Sequence, residues 1–351
     1  MVNIARLEPE RLAELIWRFP AARIAVLGDF FLDKYLDVDP RLEEVSLETE
    51  KAAHQVVGIR CSPGAAGTVA SNLAALGTGK LHAIGFTGED GEGFDLRRAL
   101  QKIGCSTRHL HTVPERRTPT YLKPRDSRDP TLAGEHSRYD TKNRERTPES
   151  LEKAIVDSMD ALLPELDALI VMDQVEERDC GVVTAAVREA VAERVTRYPD
   201  VIFWADSRRR IREFRGVIIK PNQFEAVGKE NPAPGEEVDL ELLRSAVLEL
   251  RAEMGAPVVV TRGPLGMAVS DPEWTIVPGV KVEGEIDSTG AGDSATAGAV
   301  LALCARASLP EAAVVGNLVA SITIQQLGTT GVARPQELPP RLDLWRRQQG
   351  T

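Results

Sequence analysis

The sequence predicts an α/β protein with a mostly parallel sheet, helices on both faces and a small β lid. Short apolar runs alternate with segments of helical spacing along most of the chain. That is the pattern of parallel strands buried on both sides. Two segments, 37–60 and 107–140, break the pattern with charged residues and alternating apolar positions, and they read together as the lid. The 351 residues suffice for one large domain with such an appendage.

The elements follow in order. Residues 9–18 place Leu12, Leu15 and Ile16 at helical spacing, and Pro20 ends that pattern. RIAVLG (23–28) is a short buried strand. SPGAAGTVASNLAALG (62–77) is a glycine-rich turn entering a helix of small residues. LHAIGFTG (81–88) is a second buried strand. FDLRRALQKIG (94–104) is a helix closed by Gly104. The lid segment carries strand-like pieces at TPTYLKP and EHSRYD, with RDSRDP as a turn between them. Beyond it come a helix over 149–163, the strand ALIVMD, a helix over 181–195, then VIFWAD and GVIIKPN. A helix over 239–254, PVVVTRG, the paired strands MAVSD and WTIVPG, and apolar helices over 294–306 and 310–326 complete the list. The predicted core comprises 1–36, 61–106 and 141–351.

Composition excludes several functions. Apolar residues make up 42% and charged residues 27%, so the chain can build an ordinary core. A net charge of −10 disfavours nucleic acid and anionic membranes as partners. Cys61, Cys105, Cys180 and Cys304 are far apart and form no CxxC pair, which fits a reducing cytoplasm better than a zinc site or disulfide framework. Glu8, Glu10 and Glu14 are unlike a signal peptide. The most apolar stretch, 312–324, is short of the roughly 18 to 20 residues of a membrane span and contains Asn317.

The most informative segment is EIDSTGAGDSATAGAVLALCARA, 285–307. It holds an acidic residue, a Thr, the turn Gly290-Ala291-Gly292, and Asp293 opening an Ala-rich helix. Small residues let a backbone approach a ligand closely. The amides of a helix N-terminus favour negative charge, and a carboxylate there can take a proton from an attacking hydroxyl. Phosphoryl transfer needs both elements and a metal on the phosphates. The plainer reading is that Asp293 caps a helix behind a glycine turn.

At this point the chain resembles the ribokinase-like (PfkB-type) carbohydrate kinases. Their Asp-x-Thr-Gly-Ala-Gly-Asp signature is matched by Asp287 to Asp293, and the resemblance runs from about 22 to 337. It implies a three-layer α/β/α fold and an ATP- and Mg²⁺-dependent enzyme. In it Asp293 would be the base, and Gly290, Ala291 and Gly292 would line an anion hole. It also implies a monovalent cation, such as K⁺, beside Asp287 and Thr289. The family's Asn-x-x-Glu element, which organises Mg²⁺ and the nucleotide phosphates, appears as Asn222 and Glu225; a helix N-cap explains Asn222 equally. Thr261, Gly263 and Gly266 match a loop along the nucleotide, with a plain hairpin as the alternative. Asn317 aligns with a residue near adenine, though water or backbone would serve as its partner too.

On the sugar side, Asp29 and Asp33 match carboxylates that hold sugar hydroxyls. The glycine-rich turn reads Pro63-Gly64-Ala65-Ala66-Gly67-Thr68, with Thr68 in place of the usual Asn and Ala65 in place of the usual Gly. Asp173-Gln174-Val175-Glu176 replaces a DYGKG-like element, and WADSRRR (204–210) replaces a DPKG-like turn. These departures touch the substrate side and leave the nucleotide side intact. GDFFLDKY, the lid strands, VIIKPNQFE and NLVASITIQQLGTTG resemble heptose-7-phosphate kinases most. Lys123, Arg125 and Arg138 are the lid cations that could meet a sugar's own phosphate, or they could simply keep exposed strand edges soluble. Relatives often dimerise through the lid, so a homodimer is expected. No nucleotidyltransferase segment is evident after 340. Two rivals differ in kind. An oxidoreductase would need G-x-G-x-x-G after the first strand, where GDFFLD stands. A non-catalytic sugar- or nucleotide-binding regulator would have no need of Asp293.

Overall fold

The computed structural model describes residues 3–129, 131–233 and 235–350; Pro130, the end of the expected lid turn, lies outside them. The strands used below are β1 (Arg23–Gly28), β2 (Phe30–Val38), β3 (Val56–Ala65), β4 (Lys80–Gly88), β5 (Cys105–Val113), β6 (Thr120–Asp126), β7 (Tyr139–Thr141), β8 (Ala168–Asp173), β9 (Ile202–Ser207), β10 (Ile218–Ile219), β11 (Val259–Thr261), β12 (Gly266–Val269) and β13 (Thr275–Pro278). The helices are α1 (Pro9–Arg18), α2 (Ala66–Ala75), α3 (Gly91–Lys102), α4 (Glu149–Leu162), α5 (Ala185–Arg197), α6 (Gln223–Ala226), α7 (Leu240–Met254), α8 (Ala291–Cys304), α9 (Leu309–Thr323) and α10 (Leu338–Gln349). The last lies beyond any helix that periodicity identified.

Six strands form the large sheet in the order β10-β9-β8-β1-β4-β5, every pair parallel. Single bridges from Ile219 to Val258 and from Asn222 to Thr261 carry it on to β11, β12 and β13. Alternation along one strand assigns the layers. In β1, Ile24 and Val26 join a core with α1, α2, α8, α9 and α10, whereas Ala25 and Leu27 join a second core with α4, α5 and α7. β8 repeats the pattern, with Ile170 in the first core and Leu169 and Val171 in the second. The sheet is therefore covered on both faces, which explains why its strands read as continuous apolar runs. No helix among the described residues is long and apolar enough to cross a membrane.

The second sheet has the order β7-β6-β2-β3. Here β2 pairs antiparallel with β3 and parallel with β6. It joins the core at one seam. Asp29 alone separates core strand β1 from lid strand β2, β3 runs directly into core helix α2, and the Ala66 amide donates to the Asp29 carbonyl at 3.1 Å. The second sheet thus begins at Phe30. β5 pairs with β4 at the edge of the large sheet, although 107–113 falls in a segment expected in the lid. The reason is the apolar inward face of β5, where Cys105 and Leu110 are buried in the core.

Candidate active site

Parallel strands leave their polar residues at their carboxyl ends, where loops open onto the cleft. Asp206 stands near the end of β9, Lys220 just after β10, and Asn222 is the N-cap of α6. α8 brings Asp293 to the same place. Its N-cap is Gly290, at φ +74°, and no side chain caps the helix. A Cβ on Gly290 would also approach the Thr68 Cγ2 tightly, at 3.1 Å. The turn is closed by the Ala291 amide donating to the Ser288 carbonyl at 3.1 Å. An uncapped helix start of small residues is a ready anion cradle.

The Asp293 carboxyl is pushed up to about 7, first by burial among protein atoms and then by the like charge of Asp206, against the pull of Lys220 and Arg208. Lys220 is buried, and its Nζ pairs with Asp206 Oδ2 at 2.7 Å. Burial alone would depress that ammonium; Asp206, with smaller contributions from Asp293 and Glu225, outweighs it and raises the pKa. Asn222 and Glu225 form a reciprocal capping box. Asn222 Oδ1 accepts the Phe224 and Glu225 amides at 2.9 and 3.0 Å, and Glu225 Oε2 accepts the Asn222 amide at 2.7 Å. Burial raises the Glu225 carboxyl despite that amide.

On the sugar side, Asp33 is buried on β2 and Lys123 on β6, and they meet at 3.0 Å. Burial raises the Asp33 carboxyl against the pull of Lys123. Gly64 lies against Asp33, so closely that a Cβ on it would stand 2.7 Å from Oδ2. Lys123 also sits 5.0 Å from the Tyr35 ring centroid. Beyond it a cavity of about 370 Å³ is lined by Tyr35, Lys123, His136, Asp287, Thr289 and Gly328. Asp287 ties its loop together, accepting the Thr289 amide at 3.0 Å and the Gly328 amide at 3.3 Å.

Residues 22–336 match the pfkB family of carbohydrate kinases. The chain belongs to that family. The members of that family are carbohydrate kinases. Among curated relatives, the bifunctional protein HldE of Citrifermentans bemidjiense is 29% identical over 336 residues, covering 95% of this kinase and 66% of the relative. The HldE protein of Caulobacter vibrioides is 29% identical over 323 residues, covering 91% of this kinase and 63% of the relative. The kinase thus spans just under two thirds of the length of these relatives. Among solved structures, Arabidopsis thaliana ribokinase, complexed with ribose and ATP, superposes with a TM-score of 0.66 at 18% identity, covering 92% of this chain and 98% of that one. Escherichia coli phosphofructokinase-2, in complex with substrates and products, gives 0.67 at 18% identity, covering 93% and 99%. These two likenesses establish the ribokinase-like fold.

Several residues expected at the ligands also have partners within the protein. Asp29 is buried, and its oxygens accept the amides of Gln174 at 2.8 Å, Val175 at 3.1 Å and Val182 at 2.7 Å. It anchors the loop after β8, and a sugar would have to compete with three backbone donors for it. Burial, then the charge of Asp173, lifts it to about 6 against those amides. Asn317 donates to the carbonyls of Val277 and Pro278, both at 3.2 Å, so backbone supplies its partner. Gly266 is demanded by packing, since a Cβ there would stand 2.2 Å from the Val277 carbonyl oxygen. Thr261 belongs to β11, its amide bonded to the Pro221 carbonyl at 3.0 Å, and Gly263 opens the turn after it at φ +56°. Arg138 pairs with Asp140 at 2.7 Å and stacks 4.4 Å from the Tyr121 ring centroid, on the outer part of the lid. Asp206 and Lys220 are not among the sequence-based site residues, and Arg208 enters there only within the substrate-side segment WADSRRR. The available signal is their position at or directly after the carboxyl ends of parallel strands.

Proposed function

We propose that this kinase transfers the γ-phosphoryl group of ATP to a hydroxyl of a sugar phosphate, with a heptose 7-phosphate as the favoured acceptor. Asp293 is the base, and its position at the uncapped start of α8 with a carboxyl near 7 carries the reading. The acceptor oxygen bonds to the γ-phosphorus as the bond from that phosphorus to the bridging oxygen breaks. ADP leaves with the electron pair, and the acceptor's proton passes to Asp293. The turn at Gly290, Ala291 and Gly292 receives the transferring group's charge.

Asn222 and Glu225 are the residues that would hold Mg²⁺. Among the described residues no three metal-binding side chains converge, which suits an ion that takes most ligands from water and phosphate. When bound, Mg²⁺ neutralises charge on the phosphate oxygens. Thr261, Gly263 and the Oδ1 of Asn317 lie along the nucleotide. Asp287 and Thr289 hold a monovalent cation, since each Asp287 oxygen keeps acceptor capacity beyond its amide bond. Asp33, Lys123, Gly64, Ala65 and Thr68 hold the sugar under the lid.

The lid, from 30 to 65 and 118 to 141, acts as a unit that closes over the cleft and excludes water. It also supports a homodimer. Val56, Val57 and Ile59 on its outer strand β3 are exposed aliphatics on an unpaired edge. Four free cysteines suit a reducing cytoplasm.

The test is ATP-to-ADP turnover with Mg²⁺ across a panel of sugars and sugar phosphates, run beside Asp293→Asn. One phosphorylated sugar should stimulate turnover, and the variant should lose about 10²- to 10⁴-fold. A variant with near wild-type turnover would remove Asp293 from the chemistry.

A further inference from the structure

The cleft carries more negative charge than its fixed cations balance. Lys220 is committed to Asp206 at 2.7 Å and Lys123 to Asp33 at 3.0 Å. Asp293 and Glu225 remain, before any phosphate arrives. Arg208 directly follows β9. It lines a cavity of about 380 Å³ together with Asn222, Phe224 and Glu225. Beside the larger effects of burial, its charge draws down Asp293, Glu225 and, across the cleft on the lid, Tyr121.

The backbone beneath Arg208 is held tightly. Its amide donates to the Asp173 carbonyl at 3.0 Å, Ser207 Oγ donates to Asp173 Oδ2 at 2.6 Å, and Arg210 is buried against Asp173 at 2.6 Å. The Arg208 side chain is held loosely. It is 54% exposed, and its contact is Glu176 at 3.4 Å, a carboxylate that Arg209 also reaches at 3.2 Å. Arg209 can keep Glu176 paired when Arg208 leaves. An anchored base with a free cationic arm suits a group that must meet charge only when substrates are in place.

We propose that the Arg208 guanidinium turns from Glu176 onto the transferring phosphoryl group and is a catalytic residue of this kinase. The inference rests on Asp293 marking the reaction centre. A planar guanidinium can grip two phosphoryl oxygens at once, complementing the amides of the 290–292 turn.

The test uses the full chain with Arg208→Ala and Arg208→Lys, each checked for fold by circular dichroism. Arg208→Ala should lower kcat about 100-fold or more. Its acceptor KM and its ATP Kd, the latter by calorimetry, should stay within about threefold of wild type, the pattern of a contact made in the transition state. Arg208→Lys should recover part of the loss. The rising limb of kcat/KM with pH should move to higher pH in Arg208→Ala, because Asp206, Lys220 and Asp33, the other charged groups facing Asp293, are unchanged. A kcat within about threefold of wild type overturns the proposal. So does a loss confined to acceptor KM, which would assign Arg208 to a phosphate already on the sugar. Asp293→Asn, measured alongside, separates the failures. If it stays active, the reading of the site falls; if it is inactive while Arg208→Ala is not, only this inference falls.

Discussion

Lys220 Nζ lies 2.7 Å from Asp206 Oδ2, and the same nitrogen stands 3.4 Å from where a Cβ on Gly292 would be. The pair therefore sits under the first turn of α8. Both side chains are shielded, with 6% and 15% of their surface exposed. Removing one partner strands the other, so Lys220→Met should cost about 3–5 kcal/mol by urea denaturation. Lys220 also helps to hold Asp293 down, so any residual activity of the variant should need a higher pH.

The Asp293 carboxyl at about 7 sets a pH dependence with a definite sign. A base must be ionised, so kcat/KM should fall about tenfold per pH unit below that value and level off above it. Stability runs the other way. A carboxyl raised on folding contributes stability below its unfolded value, and this is lost as pH rises through the folded one. Asp293→Asn should therefore gain in melting temperature over wild type at pH 8 and lose that advantage at pH 5.

Asp29→Ala should act on folding and leave substrate recognition alone. The change strands three buried amides, those of Gln174, Val175 and Val182. A loss of about 3 kcal/mol or more is expected by denaturation, with acceptor KM little changed. A large rise in KM at unchanged stability would instead restore Asp29 to the sugar site.

Ala65 adopts φ 53°, ψ −117° where β3 enters α2. Such backbone strain costs a non-glycine residue about 1–3 kcal/mol, part of which Gly would return through its looser unfolded chain. Ala65→Gly should stabilise the protein by about 1 kcal/mol, readable as a higher melting temperature. If the strain serves to aim Gly64 at Asp33, the same variant will raise acceptor KM.

Much of this protein is legible because its signals are local. The Asp287–Asp293 string specifies a turn and a helix start within seven residues, and Asn222 and Glu225 close their capping box within four. Apolar runs at strand length named the sheet, since a strand buried on both faces has no polar side to show. The lid was harder. The run Phe30–Leu32 is as apolar as a core strand, yet it crosses into the second sheet after one intervening residue.

The sequence alone determined the layered fold, the glycine turn that opens α8 and the residue types proposed for phosphoryl transfer. Tertiary structure decided which of them are free to act. Asp29 and Asp33 are similar in sequence terms, but one accepts three amides and the other faces Lys123 and Gly64. Asp206, Arg208, Lys220 and Asp293 acquire a common electrostatic role only when β9, β10 and α8 converge. Hydrogen-bond occupancy and the field at a carboxylate depend on neighbours remote along the chain, and only packing brings those neighbours within range.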